Sequence, residues 1–122
     1  MLNNGYISCP DETILQITSS VLRVPIKAIV GRWRPHEVVL ARHASIFVYW
    51  KQHKYSLKSI GLLHGGRDHS TVMNARDRIF DGIDTKERIN KDGSGPLISE
   101  IIEQIEREFY LKKPVANVEV EL

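Results

Sequence analysis

Four consecutive polar side chains in this sequence could contact the edges of bases. Asp68, His69, Ser70 and Thr71 directly follow two glycines and an arginine, and they precede apolar residues at helical spacing. A carboxylate can accept a hydrogen bond from cytosine N4, a hydroxyl can donate or accept, and a threonine methyl can pack on a thymine methyl. A helix N-terminus also favours a nearby phosphate. This group therefore predicts nucleic-acid binding.

The same residues do not form a catalytic or metal site. Neighbouring positions in a helix point about 100° apart, so Asp68 and His69 do not face one another, and no nucleophile is placed beside them. Cys9 is the only cysteine, which excludes an internal disulfide and a cysteine-based zinc finger. The histidines are expected to be solvated or to face DNA: His36, His43, His53, His64 and His69. We predict a protein that is not an enzyme and has no metal and no cofactor.

Two short helices joined by a tight turn are predicted to position the polar group. Ser56 can cap a helix over Leu57–Leu63, and Asp68 can cap a second helix that ends near Asp81-Gly82. Gly65-Gly66 supply the positive φ angles that a sharp turn needs. The second helix is predicted from the i, i+3, i+4, i+7 spacing of Val72, Ala75, Arg76 and Ile79. Such a pair of helices is typical of a helix-turn-helix.

The rest of the chain completes an all-α fold of about six helices. The other predicted elements are a helix over Asp11–Leu22, a short helix over Pro25–Val30, a basic loop over Gly31–Pro35, a long helix from His36 to about His53, a loop over 82–96 and a closing helix from Pro96 to about Leu111. In the long helix we predict one apolar stripe: Leu40, Ala44, Phe47 and Trp50. In the closing helix the stripe seals the core, or supports self-association through residues 97–111: Leu97, Ile98, Ile101, Ile102, Ile105 and Phe109. We expect one domain over 11–112, with flexible ends over 1–10 and 113–122.

Positive charge is concentrated around the predicted helix-turn-helix. The formal net charge of the 122 residues is only +2, but residues 23–78 hold eleven lysines and arginines against three acidic residues. Each phosphate that a cation neutralises releases a condensed counterion, so such a block favours a polyanionic partner. A solvated charged surface is the alternative, and charge alone leaves both open.

Composition favours a soluble cytoplasmic protein. No apolar run approaches the roughly 20 residues of a membrane span, and the first residues lack the features of a secretion signal. No phosphate-binding loop of the form GxxxxGK[ST] is present, so we predict no nucleotide. Double-stranded DNA is the expected partner, with no membrane, and the expected location is the cytoplasm, in association with the nucleoid.

The polar segment resembles a known family. GGRDHST at 65–71 is similar to GGRDHTTV, the signature of the C-terminal DNA-binding domain of the bacterial replication initiator DnaA. Residues 57–61, LKSIG, correspond to the family's LPEIG, and residues 41–43, ARH, to its Ala-Arg-Gln. The resemblance spans roughly residues 11–110. It implies a Trp-repressor-like helix-turn-helix that binds nine-base-pair boxes with the consensus TTATNCACA.

The resemblance also implies roles for individual residues. The major-groove contacts would be made by Arg67, Asp68, His69, Ser70 and Thr71. The minor-groove contact would be made by Arg34, with Arg32 nearby, since a narrow A/T-rich groove attracts a guanidinium. The phosphate backbone would be held by Arg42, His43, Leu57 and Lys58. Ser70 departs from the family's threonine and lacks its methyl group, and Lys58 replaces a proline, so the differences concern the bound sequence more than the docking mode.

From these observations we predict sequence-specific binding of double-stranded DNA at a DnaA-box-like site, with an effect on replication initiation or transcription. The family's initiator carries an ATPase domain ahead of this one, and this sequence has no counterpart of its phosphate loop. We expect a separate small protein, the alternative being a fragment of an initiator. Two other functions stay open: a helix-turn-helix transcription regulator of unrelated operators, and a protein-interaction module that has lost DNA binding and uses the acidic segment 97–122.

Overall fold

Six α-helices organise residues 11–112, the part of the chain that the computed structural model describes. They are α1 (Thr13–Leu22), α2 (Ile26–Val30), α3 (His36–Lys51), α4 (Leu57–Leu63), α5 (His69–Asp84) and α6 (Ile98–Lys112). Among these described residues, an isolated antiparallel β-bridge joins Arg88 and Leu97. The prediction of an all-α fold with about six helices is confirmed. The predicted flexible ends, 1–10 and 113–122, lie outside the described residues.

Helix α3 is the centre of the fold, because each of the other five helices packs against it. The sequence predicted one apolar stripe on this helix, of which Ala44 and Phe47 are buried while Leu40 and Trp50 are only half-buried. Further buried residues lie on its other faces: Val38, Ala41, Ile46, Val48 and Tyr49. A helix with neighbours on most sides needs apolar residues on most faces, so a single stripe underestimates its contacts.

Several helix ends differ from the predicted ones. Helix α1 begins at Thr13, two residues late, and α3 ends at Lys51, shortly before His53 adopts a left-handed φ of 60°. Helix α5 does not stop at Gly82 but continues to Asp84. A Cβ at Gly82 would lie 2.9 Å from Ile98 Cδ1, so this glycine permits the close approach of α6 and does not end α5.

Helix α6 closes the core against α1, α3 and α5. Its predicted apolar stripe is buried at five of six positions, with Leu97 half-buried ahead of the helix: Ile98, Ile101, Ile102, Ile105 and Phe109. The prediction that this stripe seals the core is confirmed. Self-association through residues 97–111 stays a prediction; Tyr110 and Leu111 are large hydrophobic side chains that α6 exposes.

The described helices are short. The longest, α3 and α5, have 16 residues each and so extend about 24 Å at 1.5 Å per residue. No helix in the described part of the chain is both long and apolar enough to cross a membrane.

His64 is buried, which corrects the expectation that all histidines are solvated or face DNA. Its exposed fraction is 0%, and it lies at the end of α4 against α3. Nδ1 lies 2.8 Å from the Ile60 carbonyl oxygen, which can only accept, so Nδ1 carries the proton and donates. Nε2 then accepts from the Ser45 hydroxyl at 2.8 Å. The imidazole therefore joins α3 to α4 in its neutral form.

Acid is expected to destabilise the fold through this histidine. Burial lowers the pKa of His64 to about 4, while an unfolded histidine titrates near 6.5. The unfolded chain therefore binds more protons between pH 6.5 and pH 4, and the free energy of unfolding falls as pH is lowered through that window. We expect a loss of about 2 kcal/mol between pH 7 and pH 5 from His64 alone.

Urea unfolding at the two pH values measures this loss, and an NMR titration of the imidazole protons assigns it. His43 acts in the same direction, because burial and the nearby Arg42 charge lower its pKa to about 4 as well. A His64 resonance that titrates near pH 6.5 in the folded protein would contradict the assignment.

Candidate nucleic-acid interface

The helix-turn-helix is built around the carbonyl group of Gly61, in the last turn of α4. This oxygen accepts the N–H groups of His64, Gly66 and Arg67 at 3.1, 3.0 and 2.9 Å. Gly65 and Gly66 have φ angles of 85° and 77°, which confirms the predicted glycine turn. A Cβ at Gly61 would lie 1.9 Å from the Arg67 carbonyl oxygen. The turn therefore wraps closely around α4 and fixes the angle at which α5 leaves it.

The first turn of α5 presents the predicted base-contacting residues to solvent. Asp68 is the N-cap, as predicted, and its Oδ1 accepts the Thr71 N–H at 3.0 Å. This hydrogen bond lowers the pKa of Asp68 and keeps the carboxylate charged. His69, Ser70 and Thr71 are all exposed, while the next residue, Val72, is fully buried. Base contact by these side chains stays a prediction.

Arg42 lies in the interior, where it holds the basic loop to α3. The residue is 7% exposed, and its Nε donates to the Ile29 carbonyl oxygen at 2.6 Å. Its Nη2 donates to the carbonyl oxygens of Ala28, Gly31 and Trp33 at 3.1, 3.1 and 3.0 Å. These oxygens lie at the C-terminus of α2 and in the loop after it, where the helix dipole favours a cation. The implied phosphate contact of Arg42 stays a prediction that its burial does not favour.

Arg67, in the turn that leads into α5, holds the same loop as Arg42. Its Nη2 donates to the Gly31 carbonyl oxygen at 2.6 Å, and its Nη1 donates to the carbonyl oxygens of Val30, at 3.2 Å, and His64. Gly65 also packs on this region, since a Cβ there would lie 2.2 Å from the Val30 carbonyl oxygen. The glycine turn and the start of the basic loop are therefore packed and hydrogen-bonded to each other.

The guanidinium groups near the glycine turn and the basic loop concentrate positive charge. Burial lowers the pKa of Arg42, and the charges of Arg67 and Arg34 lower it further. Burial also lowers the pKa of Arg67, with a contribution from the Arg32 charge. Arg32 and Arg34 themselves are exposed. Four cations that disfavour one another produce a positive potential, and an anion in front of them would relieve it.

A first cleft, the loop cleft, lies between the basic loop and α5. Its lining residues come from the basic loop, α3, the glycine turn and α5: Arg32, Arg34, Val39, Arg42, His43, Ile46, Arg67, Thr71 and Ala75. The structure thus brings the implied minor-groove arginines onto the same surface as Thr71, one of the implied major-groove residues.

A second cleft, the α4 cleft, lies where the first turns of α4 and α5 meet. Its lining residues are Trp50, His53, Tyr55, Ser56, Leu57, Lys58, His69 and Arg76. Lys58 is exposed and Leu57 is half-buried. His69 and Thr71, two residues apart on a helix, point about 200° apart. The exposed first turn of α5 is therefore bordered by a cationic cleft on each side.

His43 contributes no charge to the loop cleft at neutral pH. It is half-buried, and its pKa is lowered to about 4 by burial and then by the charges of Arg42, Arg78 and Arg67. The neutral ring can donate an N–H to a phosphate oxygen but cannot form an ion pair. The implied backbone contact of His43 is thus limited to a neutral hydrogen bond.

Arg76 is the residue of this surface that the sequence-based prediction missed. The sequence uses Arg76 only as one position of the helical pattern of the second helix, whereas the structure places it half-buried in the α4 cleft. Its guanidinium lies 5.1 Å from the ring centroid of Trp50, and its Nε pairs with Asp77 Oδ1 at 2.9 Å. Arg76 follows His69 by seven residues, a spacing that puts both on one helical face and could have revealed it.

The chemistry of this surface is that of binding. Its exposed groups are cations, hydroxyls, a capped carboxylate and an imidazole, which suit phosphates and base edges. Within residues 11–112, no group of three or more histidine, cysteine, aspartate or glutamate side chains is arranged to hold a metal ion.

In helix-turn-helix proteins the second helix lies in the major groove, and its N-terminal residues contact the base edges. The polar first turn of α5, exposed between two cationic clefts, matches this arrangement. This chain is a DNA-binding domain of that class. Residues 12–79 match the model of a family described as the bacterial dnaA protein helix-turn-helix. The chain belongs to this family, and the resemblance stated from its sequence is confirmed. The match extends from α1 into α5, and α6 lies beyond it.

Several similar proteins are named chromosomal replication initiator protein DnaA. That of Roseiflexus castenholzii is 35% identical over 81 residues, which cover 66% of this chain and 17% of that protein. That of a Picosynechococcus species is 31% identical over 100 residues, 82% of this chain and 21% of that protein. That of Bifidobacterium animalis is 43% identical over 61 residues, 50% of this chain and 10% of that protein. The chain therefore spans about a fifth or less of the length of these relatives.

Proposed function

We propose that this domain binds double-stranded DNA at a specific site similar to the DnaA box, TTATNCACA. The observation that carries the proposal is the position of the two cationic clefts on either side of the first turn of α5. A major groove is about 12 Å wide, which admits one α-helix, and a phosphate backbone borders it on each side. With α5 in the groove, the clefts would meet the two backbones.

The proposed contacts divide between the clefts. From the α4 cleft, Lys58 and Arg76 would approach one backbone, and His69 would extend to the base edges. From the loop cleft, Arg34 and Arg32 would continue past the other backbone into the neighbouring minor groove. An A/T-rich minor groove is narrow and strongly negative, so it suits an exposed guanidinium. The TTAT end of the box would provide such a groove.

Binding at such sites would affect replication initiation or transcription by occupying a box that another protein uses. The similar proteins are named replication initiators, and this chain corresponds to a small part of each. We propose that the domain acts through occupancy, since the described surface offers binding groups. The location proposed for this activity is the cytoplasm, at the nucleoid.

His69→Ala is expected to relax base preference. His69 is exposed in the first turn of α5, at the border of the α4 cleft, so its ring can extend toward the groove floor. A lost base contact costs about 1–3 kcal/mol of discrimination at the contacted base pair, while affinity for scrambled DNA should change little. The measurement is fluorescence anisotropy with the box and with each of its single-base variants.

Asp84→Ala is the matched control for this variant. Asp84 is exposed at the opposite end of the same helix, about 22 Å from His69 at 1.5 Å per residue. Its substitution should leave the order of preferred sequences unchanged. If the His69 variant kept the wild-type ratio of affinities at every position of the box, His69 would not be a base-contacting residue.

A further inference from the structure

Trp33 is a large aromatic side chain that the fold leaves in solvent. Its exposed fraction is 64%, although a buried tryptophan would contribute more to stability than almost any other residue. Its neighbours in the basic loop, Arg32 and Arg34, are exposed as well. The proposed contacts of the two arginines do not account for an exposed indole between them in the sequence.

The loop that carries Trp33 is held firmly at its base. The Trp33 carbonyl oxygen accepts a hydrogen bond from Arg42 Nη2 at 3.0 Å. The Gly31 carbonyl oxygen, two residues earlier, accepts from both Arg42 and Arg67, at 3.1 and 2.6 Å. Pro35 then leads directly into α3. The backbone of Trp33 therefore has a fixed position relative to α5, and its two neighbours in the sequence, Arg32 and Arg34, line the loop cleft.

Trp50, the other tryptophan, shows what a packed indole looks like in this fold. Its ring lies 5.9 Å from Phe47, 5.6 Å from Phe80 and 5.1 Å from the Arg76 guanidinium, measured between centres. It is half-buried beside α5 and packs against the hydrophobic core. Trp33 differs by its exposure and by the two cations beside it, which point to a partner that is both anionic and flat.

We propose that Trp33 inserts its indole against a base at the minor-groove edge of the bound duplex and partly unstacks the adjacent base step. This inference rests on the proposed function. Apolar side chains of minor-groove proteins act as such wedges, and base–aromatic stacking tolerates any base. With Arg34 and Arg32 in the neighbouring minor groove, as proposed above, the indole of the residue between them would meet the edge of that groove. A protein partner would have to be acidic as well as apolar, and it would compete with DNA for the same loop.

The first test compares Trp33→Ala with Trp33→Phe in binding to the box duplex. Loss of base stacking should weaken binding of the alanine variant by about 5- to 100-fold. The phenylalanine variant should retain most of the affinity, because its ring still stacks. Tyr110→Ala removes another exposed aromatic ring, on α6, and should leave the affinity unchanged. An alanine variant within about twofold of the wild type would overturn the proposal, and so would equal losses in both Trp33 variants.

Two readouts locate the effect on the DNA and on the indole. Tryptophan fluorescence should be quenched when wild-type protein binds the duplex. The quenching should be much smaller in Trp33→Phe, where the remaining change comes from Trp50 in the α4 cleft. Permanganate, which oxidises unstacked thymines, should react with a thymine of the TTAT segment in the wild-type complex and not in the Trp33→Ala complex. Unchanged fluorescence together with unreactive thymines would refute the wedge. If the wild-type protein did not bind the box at all, the proposed function itself would fail, which separates the two outcomes.

Discussion

Gly61→Ala is expected to disrupt the helix-turn-helix and to lower the free energy of unfolding by about 3 kcal/mol or more. The new Cβ would lie 1.9 Å from the Arg67 carbonyl oxygen and 3.0 Å from its carbon. Both are backbone atoms, so no side-chain rotation relieves the contact. The backbone cannot shift easily either, since the Arg67 N–H is bonded to the Gly61 carbonyl and α5 begins two residues later. Overpacking without a route for relaxation lies at the costly end of its range.

Gly66→Ala is the control that separates steric conflict from backbone conformation. No atom lies within 4 Å of a Cβ built at Gly66, but its φ of 77° disfavours any residue with a Cβ. We expect a loss of about 1–2 kcal/mol there. Urea unfolding of both variants measures the difference. A Gly61→Ala protein within about 1 kcal/mol of the wild type would contradict the packing described around this carbonyl.

Arg42→Met is expected to cost about 2–4 kcal/mol of stability and to weaken DNA binding. The substitution leaves the carbonyl oxygens of Ala28, Ile29, Gly31 and Trp33 without the guanidinium that now binds them. Hydrogen bonds from a charged donor contribute about 1.5–3 kcal/mol each, and removal of a buried charge offsets part of the loss. The end of α2 and the basic loop would lose the four hydrogen bonds to Arg42 and keep those to Arg67, so the proposed position of Arg34 at the minor groove would be less well defined.

Arg34→Met is the matched control, because it removes the same side chain from an exposed position of the same loop. It should change stability by less than about 0.5 kcal/mol and still weaken binding. Arg42→Lys should recover little, since a lysine cannot donate to several carbonyls in fixed directions. Urea unfolding and anisotropy on the same preparations measure both effects. An Arg42→Met protein with wild-type stability would show that the guanidinium does not hold the loop.

The sequence predicted the features of this fold that depend on neighbouring residues. Ser56 and Asp68 cap their helices because a hydroxyl or carboxylate bonds an N–H three residues ahead, which is a local interaction. Gly65 and Gly66 form the turn because it requires positive φ angles, which glycine adopts without steric conflict. The spacing of apolar residues in α6 likewise predicted its buried face. These signals lie within a few residues of one another and are legible without the tertiary structure.

The features that it missed depend on distant contacts. Arg42 resembles any other cation of the basic segment, and its structural role follows from carbonyl groups 9 to 14 residues earlier. His64 is buried where α4 packs on α3, and this burial keeps it neutral; its hydrogen-bond partner there, Ser45, is 19 residues away in the sequence. Gly82 lies inside α5, where a Cβ would contact Ile98 Cδ1 at the start of α6, and that contact is not visible in the local sequence. The motif thus locates the exposed polar turn. Only the tertiary structure shows which arginines bind the loop's carbonyl groups and which are exposed.

The central claim is that this surface binds a specific duplex, and titration of a labelled TTATNCACA duplex against a scrambled duplex of equal composition tests it most directly. We expect affinity for the box to exceed that for the scrambled duplex by about 10³-fold, with both affinities falling as salt rises because cations contact phosphates in each complex. Equal, salt-sensitive binding to the two duplexes would contradict the claim of sequence specificity. No binding to either duplex at low salt would contradict the assignment of this surface to DNA.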